Sequence, residues 1–156
     1  MSETVKSPEE PLYFSMDDDT LVSRLAQFNF KLDDNTWSSV EHYYQAMLFR
    51  SELYNARIAS APSSQEARTM GNTLWHRRNK NWRNKRSVLM TRAVYTQCRT
   101  HSELAERLLS SNQRHLVESS QYDYFWGCGR DQRGRNEYGK VLMSVRSKLT
   151  QECTEH

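Results

Sequence analysis

The sequence predicts a mainly α-helical fold, a single compact domain of about five to seven helices with a small N-terminal β-hairpin. The length of 156 residues suits one domain and is short of two. Apolar residues recur at helical spacing through most of the chain after residue 38, whereas strand-like alternation is confined to the residues before it. We expect residues 12–150 to form the domain, with tails at residues 1–11 and 151–156.

The composition is that of a globular protein with many aromatic rings. Hydrophobic residues make up 37% and aromatic residues 11% of the chain. No apolar run approaches ~18 residues, so no membrane partner is expected. The three cysteines show no Cys-x-x-Cys spacing, which argues against a disulfide framework and against a zinc site. The N-terminus lacks the apolar segment of a signal peptide, and we therefore expect a cytoplasmic protein.

Short strands are predicted in the N-terminal part. Leu12, Tyr13 and Phe14 are typical of one short strand. Alternation around Phe30 predicts a second strand, and the Asp-Asp-Asn sequence at 33–35 predicts a turn into a return strand. Together these patterns predict the hairpin.

Capping boxes mark the start of two helices. Ser38 with Glu41 three residues later predicts a helix that runs to about residue 52. Ser63 opens a second capping box, and Gly71 is expected to end that shorter helix. Apolar spacing predicts later helices over about 84–98, 102–110 and 136–149.

The stretch 77–86 is strongly basic. It contains no acidic residue and six basic ones, namely Arg77, Arg78, Lys80, Arg83, Lys85 and Arg86. Trp75 and Trp82 flank or interrupt the stretch. Basic residues interleaved with aromatic residues suit a polyanion or a nucleotide, which makes nucleic acid a candidate partner. The alternative is a solvated helical face.

A glycine-rich loop precedes the last predicted helix. Four of the five glycines fall between 127 and 139, and Asn136 is the expected N-cap of the helix. Glycine lets a backbone approach a ligand closely, and a loop entering a helix can present N–H donors to a phosphate. The alternative is a tight connector without a ligand.

Three motifs together resemble one known family. They are WSSVEHYYQA at 37–46, ARTMG at 67–71 and DYFWGCG at 123–129, the last followed by Gly134, Asn136, Gly139, Leu142, Met143 and Arg146. Their order and spacing are similar to those of the NADAR/YbiA-like family over about residues 12–150.

This resemblance implies a compact, mainly helical domain that cleaves N-glycosidic bonds. Some members hydrolyse ribosylamino-pyrimidine phosphates of riboflavin biosynthesis, and others remove ADP-ribose from modified guanine. The implied partner is a small phosphorylated ribosyl substrate. Neither a metal nor an organic cofactor is implied.

Two carboxylates are the candidate catalytic groups. Cleaving an N-glycoside builds positive charge on ribose C1′ and the ring oxygen, which a nearby carboxylate stabilises. Glu41 matches the family's motif glutamate and is the first candidate, with helix capping as its alternative role. Asp123 is the second candidate, with structuring of its loop as the alternative.

Candidate binding residues surround these carboxylates in the motifs. Trp126 has a ring that suits stacking on a heterocycle. Gly127 and Gly129 would let the backbone approach the ligand, and Asn136 would donate to a phosphate or hydroxyl unless it only caps its helix. Forked guanidinium geometry makes three arginines candidates for holding phosphate, namely Arg77, Arg78 and Arg130.

The sequence departs from the family at two lysine positions. The common Ala-x-Lys-Phe has Leu48 in place of lysine, and a later Lys-Phe corresponds to Gln97. A desolvated lysine forms a Schiff base with an opened sugar, which leucine cannot do. Three hypotheses follow: catalysis by carboxylate and water, entry of another lysine such as Lys85 or Lys140, or a non-catalytic module that binds ADP-ribose or a nucleotide.

Overall fold

Six helices and four three-residue strands form the described part of the chain, residues 10–17 and 19–155, in the computed structural model. The strands are β1 (Leu12–Phe14), β2 (Phe30–Leu32), β3 (Asn35–Trp37) and β4 (Leu116–Glu118). The helices are α1 (Val40–Met47), α2 (Glu52–Ala59), α3 (Ser64–Gly71), α4 (Trp82–Thr100), α5 (Ser102–Leu109) and α6 (Glu137–Thr154). The predicted mainly helical class is confirmed. Most of the predicted N-terminal tail, residues 1–9, lies outside the described residues.

The predicted hairpin is present as β2 and β3. The two strands pair antiparallel with Phe30 opposite Trp37, and both of these side chains are buried. Asp33 and Asp34 make the turn with φ angles of 52° and 63°, a conformation that short polar side chains tolerate. Strand β4 was not predicted, and it pairs in parallel with β1.

The first helix differs from its prediction at both ends. Its N-cap is Ser39 rather than Ser38, and the Ser39 hydroxyl accepts a hydrogen bond from the backbone N–H of His42. The helix stops at Met47, and a separate helix, α2, begins after Ser51. A tertiary contact accounts for the break, because Asn79 donates to the carbonyls of Met47 and Leu48, which the helix would otherwise use.

The other helices begin close to the predicted positions. Ser63 caps α3, which ends at Gly71 as predicted. The last helix extends to Thr154, past the expected end near residue 149 and into the segment predicted as a tail. Asn136 is the N-cap residue of α6 as predicted, but its side chain makes no capping hydrogen bond because it binds the backbone of Leu116 and Glu118.

Helix α1 lies at the centre of the fold and contacts α2, α3 and α4. Seven of its eight residues are buried, including three polar ones. A buried polar group needs a partner, and His42 has two, the Ser39 hydroxyl and the carbonyl of Ala61. Glu41 and Gln45 instead line a cavity. No helix in residues 10–17 and 19–155 combines the length and apolar character that a membrane crossing requires.

Candidate active site

The motifs converge on a cavity of about 250 Å³. Its wall comes from the segment before β2, from α1, α3 and α4, and from the loop before α6. The residues around it are Arg24, Glu41, Tyr44, Gln45, Leu48, Arg68, Gly71, Asn72, Arg78, Trp82, Arg86, Asp123, Phe125 and Trp126. The set combines carboxylates, arginines and aromatic rings, which suits a phosphorylated heterocyclic ligand.

A buried arginine, Arg24, organises the acidic side of the cavity. Its Nη2 atom lies 2.9 Å from Glu118 Oε1 and 2.9 Å from Asp123 Oδ2. Its Nη1 atom lies 3.6 Å from Glu41 Oε2. Burial by itself lowers the pKa of Arg24, but the three carboxylates outweigh this effect and the pKa is raised. The guanidinium therefore stays charged and holds three carboxylates together.

The cavity carboxylate with a free acceptor is Glu41. Its side chain is fully buried, and Oε1 accepts a hydrogen bond of 2.7 Å from Gln45 Nε2. Oε2 has no hydrogen-bond partner among the described residues, since the distance to Arg24 is too long for one. A buried carboxylate oxygen without a hydrogen bond is costly to stability, and it indicates a site where a ligand or water supplies the missing donor. Because the cap is Ser39, Glu41 is not needed to cap α1.

Gly71 makes room for the glutamine that orients Glu41. A Cβ atom at this position would lie 1.9 Å from Gln45 Oε1 and 2.4 Å from Gln45 Cδ. The carbonyl of Gly71 also accepts a hydrogen bond from Arg78 Nη2. One glycine thus contacts both the group that holds Glu41 and an arginine of the cavity.

We expect Gly71→Ala to lower kcat by about ten- to a hundredfold with little change in KM, because Gln45 must rotate away and release Glu41. The helix itself should tolerate alanine, which has the higher helix propensity. Steady-state kinetics on the double variant Gly71→Ala/Gln45→Ala provide the control, since it should be no slower than Gln45→Ala alone. Additive losses would show that Gly71 acts by another route.

Three further arginines, Arg68, Arg78 and Arg86, also line the cavity. None of them has an ion-pair partner in the described part of the chain. Burial lowers the pKa of Arg86, and the nearby guanidiniums of Arg135 and Arg83 lower it further. Like charges held together without carboxylates favour an incoming anion.

Aromatic rings contact two of these guanidiniums. The guanidinium carbon of Arg78 lies 4.8 Å from the ring centre of Trp82, and that of Arg86 lies 3.5 Å from the ring centre of Phe125. The contacts fix the arginines by cation–π attraction. Trp126 also lines the cavity, and its ring packs edge-on against Tyr44 with centroids 5.2 Å apart.

Asp123 reaches the cavity but uses both oxygens within the protein. Oδ1 accepts from the backbone N–H groups of Phe125 and Trp126, at 3.0 and 2.7 Å. Oδ2 binds Arg24. These bonds match the loop-structuring alternative for Asp123, and they connect it to Arg24 and to the aromatic wall of the cavity.

The glycines of the loop before α6 contribute structure rather than cavity surface. Gly127, Gly129 and Asn136 are not among the lining residues. Gly129 has φ of +72°, and a Cβ there would lie 2.4 Å from the Tyr124 ring. Asn136 accepts from the N–H of Glu118 and donates to the carbonyl of Leu116, which anchors β4 and with it the Glu118 partner of Arg24.

Of the three predicted phosphate arginines, the structure brings only Arg78 to the cavity. Arg77 and Arg130 are exposed and lie outside its lining. The reason is local for Arg77, whose backbone carbonyl pairs with the N–H of Arg50 while its neighbour turns inward. Arg68 and Arg86, rather than Arg77 and Arg130, line the cavity together with Arg78.

The residues at the two lysine positions of the family, Leu48 and Gln97, lie in different parts of the structure. Leu48 is buried in the cavity wall. Gln97 lies elsewhere, and its side-chain amide donates to the carbonyl of Phe28 at 3.1 Å. Lys85 and Lys140 are both exposed, and no lysine of the described chain lines the cavity. The described structure therefore gives no support to the hypothesis that another lysine enters the site.

Several residues of the site were not predicted from the sequence. Arg24 and Glu118 stand in stretches without a recognisable pattern, so no signal marked them. Gln45 belongs to the motif at 37–46, four residues after Glu41, and this spacing places both on one face of a helix. Arg86 lay within the basic stretch, where nothing distinguished it from its neighbours.

Comparisons with known proteins identify the family of this chain. The family model of the NADAR domain matches residues 8–150. N-glycosidase YbiA of Escherichia coli (strain K12) is 34% identical over 137 residues, covering 88% of this chain and 86% of that protein. The riboflavin biosynthesis protein VVA0006 of Vibrio vulnificus (strain YJ016) is 30% identical over 143 residues, covering 90% of this chain and 39% of that protein.

The fold is shared as well. The NMR structure of the Escherichia coli protein YbiA matches this structure with a TM-score of 0.84 at 30% identity, covering 98% of this chain and 94% of that one. The resemblance inferred from the three motifs is confirmed, and the chain belongs to the NADAR domain family.

Proposed function

We propose that this protein hydrolyses the N-glycosidic bond of a phosphorylated ribosyl heterocycle, with Glu41 as the catalytic carboxylate. The observation that carries the proposal is the buried Oε2 of Glu41, which has no hydrogen-bond partner, in a cavity also lined by three arginines that lack ion-pair partners among the described residues. The relatives named as N-glycosidases support the enzyme class, since this chain shares their family and fold.

The geometry favours a reaction that uses carboxylate and water. The C1′–N bond breaks and its electron pair passes to the heterocycle nitrogen, which takes up a proton. A water oxygen forms the new bond to C1′ and gives a proton to Glu41 Oε2, which balances the proton taken by the leaving group. The negative charge of Glu41 meanwhile stabilises the positive charge that develops on the ribose.

The arginines supply the binding energy for phosphate. Arg68, Arg78 and Arg86 present charged, forked donors to one space, and Arg78 and Arg86 are held on aromatic rings. The rings of Trp82 and Phe125 provide apolar surface beside the same space, which suits the heterocycle. Both substrate types that the family resemblance implies, a ribosylamino-pyrimidine phosphate and ADP-ribosylated guanine, carry phosphate and a ribosyl heterocycle.

Adjacent arginines allow a matched test of phosphate binding. We expect Arg78→Gln to raise KM for a phosphorylated substrate by about tenfold or more, because a charge-assisted bond to phosphate is lost. Arg77→Gln should leave KM unchanged, since that side chain is exposed and outside the cavity. Equal KM values for the two variants would remove Arg78 from the phosphate site.

Leucine at position 48 allows a test of the reaction mechanism. An apolar cavity wall there excludes a Schiff base at this position, so we expect borohydride treatment during turnover to trap no sugar adduct on the protein. Intact-protein mass spectrometry reads this directly. A trapped adduct would contradict the carboxylate-and-water reaction and would show that a lysine elsewhere in the chain carries it.

The test of the function is a substrate screen read by mass spectrometry. Purified protein is incubated with a ribosylamino-pyrimidine phosphate, ADP-ribosylated guanosine, NAD and ADP-ribose, beside the Glu41→Gln variant. Release of free base by the unmodified protein alone supports the N-glycosidase and identifies its substrate. A ligand-induced rise in Tm without any product would instead support a non-catalytic module that binds ADP-ribose or a nucleotide.

A further inference from the structure

Tyr44 brings a hydroxyl group to the cavity beside Glu41. It lies on α1, three residues after Glu41, and this spacing places both side chains on one face of the helix. Both residues line the cavity. Tyr44 is only 4% exposed, so the content of the cavity is what it can contact besides the protein.

The Tyr44 hydroxyl is within electrostatic range of both kinds of charged group in the cavity. Burial raises the pKa of Tyr44 most, and the negative charge of Glu41 raises it further. The positive charges of Arg86 and Arg24 lower the pKa only in part, so it stays above its ordinary value. The hydroxyl therefore keeps its proton at neutral pH and is a hydrogen-bond donor.

The oxygen of this hydroxyl has a donor within the protein, but its proton has no acceptor there. The indole N–H of Trp126 donates a hydrogen bond to the Tyr44 oxygen, and the two rings pack edge-on. The hydroxyls of other buried tyrosines, Tyr43, Tyr54 and Tyr138, each donate to an oxygen of the protein. That of Tyr44 donates to none in the described part of the chain. Its proton is therefore available to a ligand.

The ribose is the part of a ribosyl phosphate that meets this proton. It joins C1′, on which Glu41 acts, to the phosphate, for which Arg86 is one of the proposed partners. Tyr44 is within electrostatic range of both of these residues. The hydroxyl group next to C1′ is the 2′-hydroxyl, and Tyr44 is about one helical turn from Glu41. The 2′-hydroxyl is therefore the group best placed to accept from Tyr44.

A 2′-hydroxyl in this place also supplies the donor that Glu41 lacks. A hydroxyl group accepts and donates at the same time. It would accept from Tyr44 and donate its own proton to Glu41 Oε2, which has no hydrogen-bond partner among the described residues. A carboxylate oxygen has two acceptor sites, so the attacking water keeps a place on the same atom. The two bonds would hold C1′ beside the carboxylate.

We propose that Tyr44 is a specificity-determining residue that donates a hydrogen bond to the ribose 2′-hydroxyl, so that the cavity selects ribosyl over 2′-deoxyribosyl ligands. This inference rests on the proposed function, because it takes a ribosyl phosphate as the ligand. A site that bonds a hydroxyl rejects an analogue without it, since the polar groups of the site are then left without partners. A 2′-deoxy sugar leaves both the Tyr44 proton and Glu41 Oε2 in that state.

Isothermal titration calorimetry with ribose 5-phosphate and 2-deoxyribose 5-phosphate tests this contact without turnover. The unmodified protein should bind ribose 5-phosphate about thirtyfold more tightly, because two hydrogen bonds depend on the 2-hydroxyl. Tyr44→Phe should weaken ribose 5-phosphate binding by about tenfold and leave 2-deoxyribose 5-phosphate binding unchanged. Tyr43→Phe is the matched control and should bind both sugars normally, since Tyr43 is adjacent on α1 but its hydroxyl binds Asp33 outside the cavity.

The outcomes separate this contact from the hydrolysis. A selective loss of ribose 5-phosphate binding in Tyr44→Phe would support the contact even if the substrate screen finds no released base. Equal binding of the two sugars by the unmodified protein, or equal weakening of both in Tyr44→Phe, would overturn the contact even if base is released. Binding of neither sugar would overturn both proposals. Thermal unfolding checks that Tyr44→Phe is folded at the temperature of the titration, as expected from a change that keeps the ring packed on Trp126.

Discussion

Replacement of Glu41 with glutamine is expected to lower kcat by about a thousandfold, within the range known for loss of a general base. Glutamine keeps the shape of the side chain, but it has no charge to stabilise the ribose and cannot accept a proton from water. The bond from Gln45 Nε2 to the Oε1 position is retained when the new amide presents its oxygen there. The effect should therefore appear in kcat, with KM changed much less.

Thermal unfolding and a second glutamate variant are the controls that distinguish loss of catalysis from loss of the fold. The fold should persist, because the change removes a buried charge with an unpaired oxygen and leaves Arg24 two other carboxylates. Glu66→Gln is the matched control, since Glu66 is an exposed residue of α3 outside the cavity, and it should retain full activity. Unchanged kcat in Glu41→Gln would exclude Glu41 from the reaction.

Replacement of Arg24 with methionine is expected to destabilise the protein by about 3–5 kcal/mol. The guanidinium is the shared partner of Glu41, Glu118 and Asp123, and it is almost completely buried. Without it, three carboxylates face one another in a region with little water. Urea unfolding at neutral pH, read by tryptophan fluorescence, measures the loss through the midpoint.

An exposed arginine provides the comparison for Arg24. Arg99 forms one ion pair with Glu152 at 3.3 Å and is 61% exposed, so Arg99→Met should cost at most about 1 kcal/mol. Arg24→Lys keeps the charge but loses the fork that reaches several carboxylates, and its stability should fall between the two. If Arg24→Met is no less stable than Arg99→Met, the three-carboxylate cluster does not depend on Arg24.

Local features of the fold were predictable because they depend on residues close in sequence. The alternation around Phe30 and the turn at Asp33 predict the β2–β3 hairpin correctly. Ser63 lies at the start of α3 as predicted, because its hydroxyl accepts from an N–H only three residues away. The predicted end of α1 was wrong because it depends on a residue distant in sequence. Asn79 donates hydrogen bonds to the carbonyls that would otherwise continue the helix.

The candidate site was only partly predictable. Glu41, Asp123, Trp126 and Arg78 were identified from motifs or charge, and all four line the cavity. Both oxygens of Asp123, however, accept hydrogen bonds from within the protein, and motif position does not reveal this.

By itself, the sequence determined the mainly helical class, the family and the central glutamate, because helical spacing, caps and motifs are patterns of neighbouring residues. Only the tertiary structure decided which oxygen of Glu41 lacks a hydrogen bond and which arginines line the same cavity. Arg24 lies 94 residues from Glu118, and Gly71 meets Gln45 across two helices. Such contacts depend on how the helices pack, and burial then determines which polar atoms are left for a substrate.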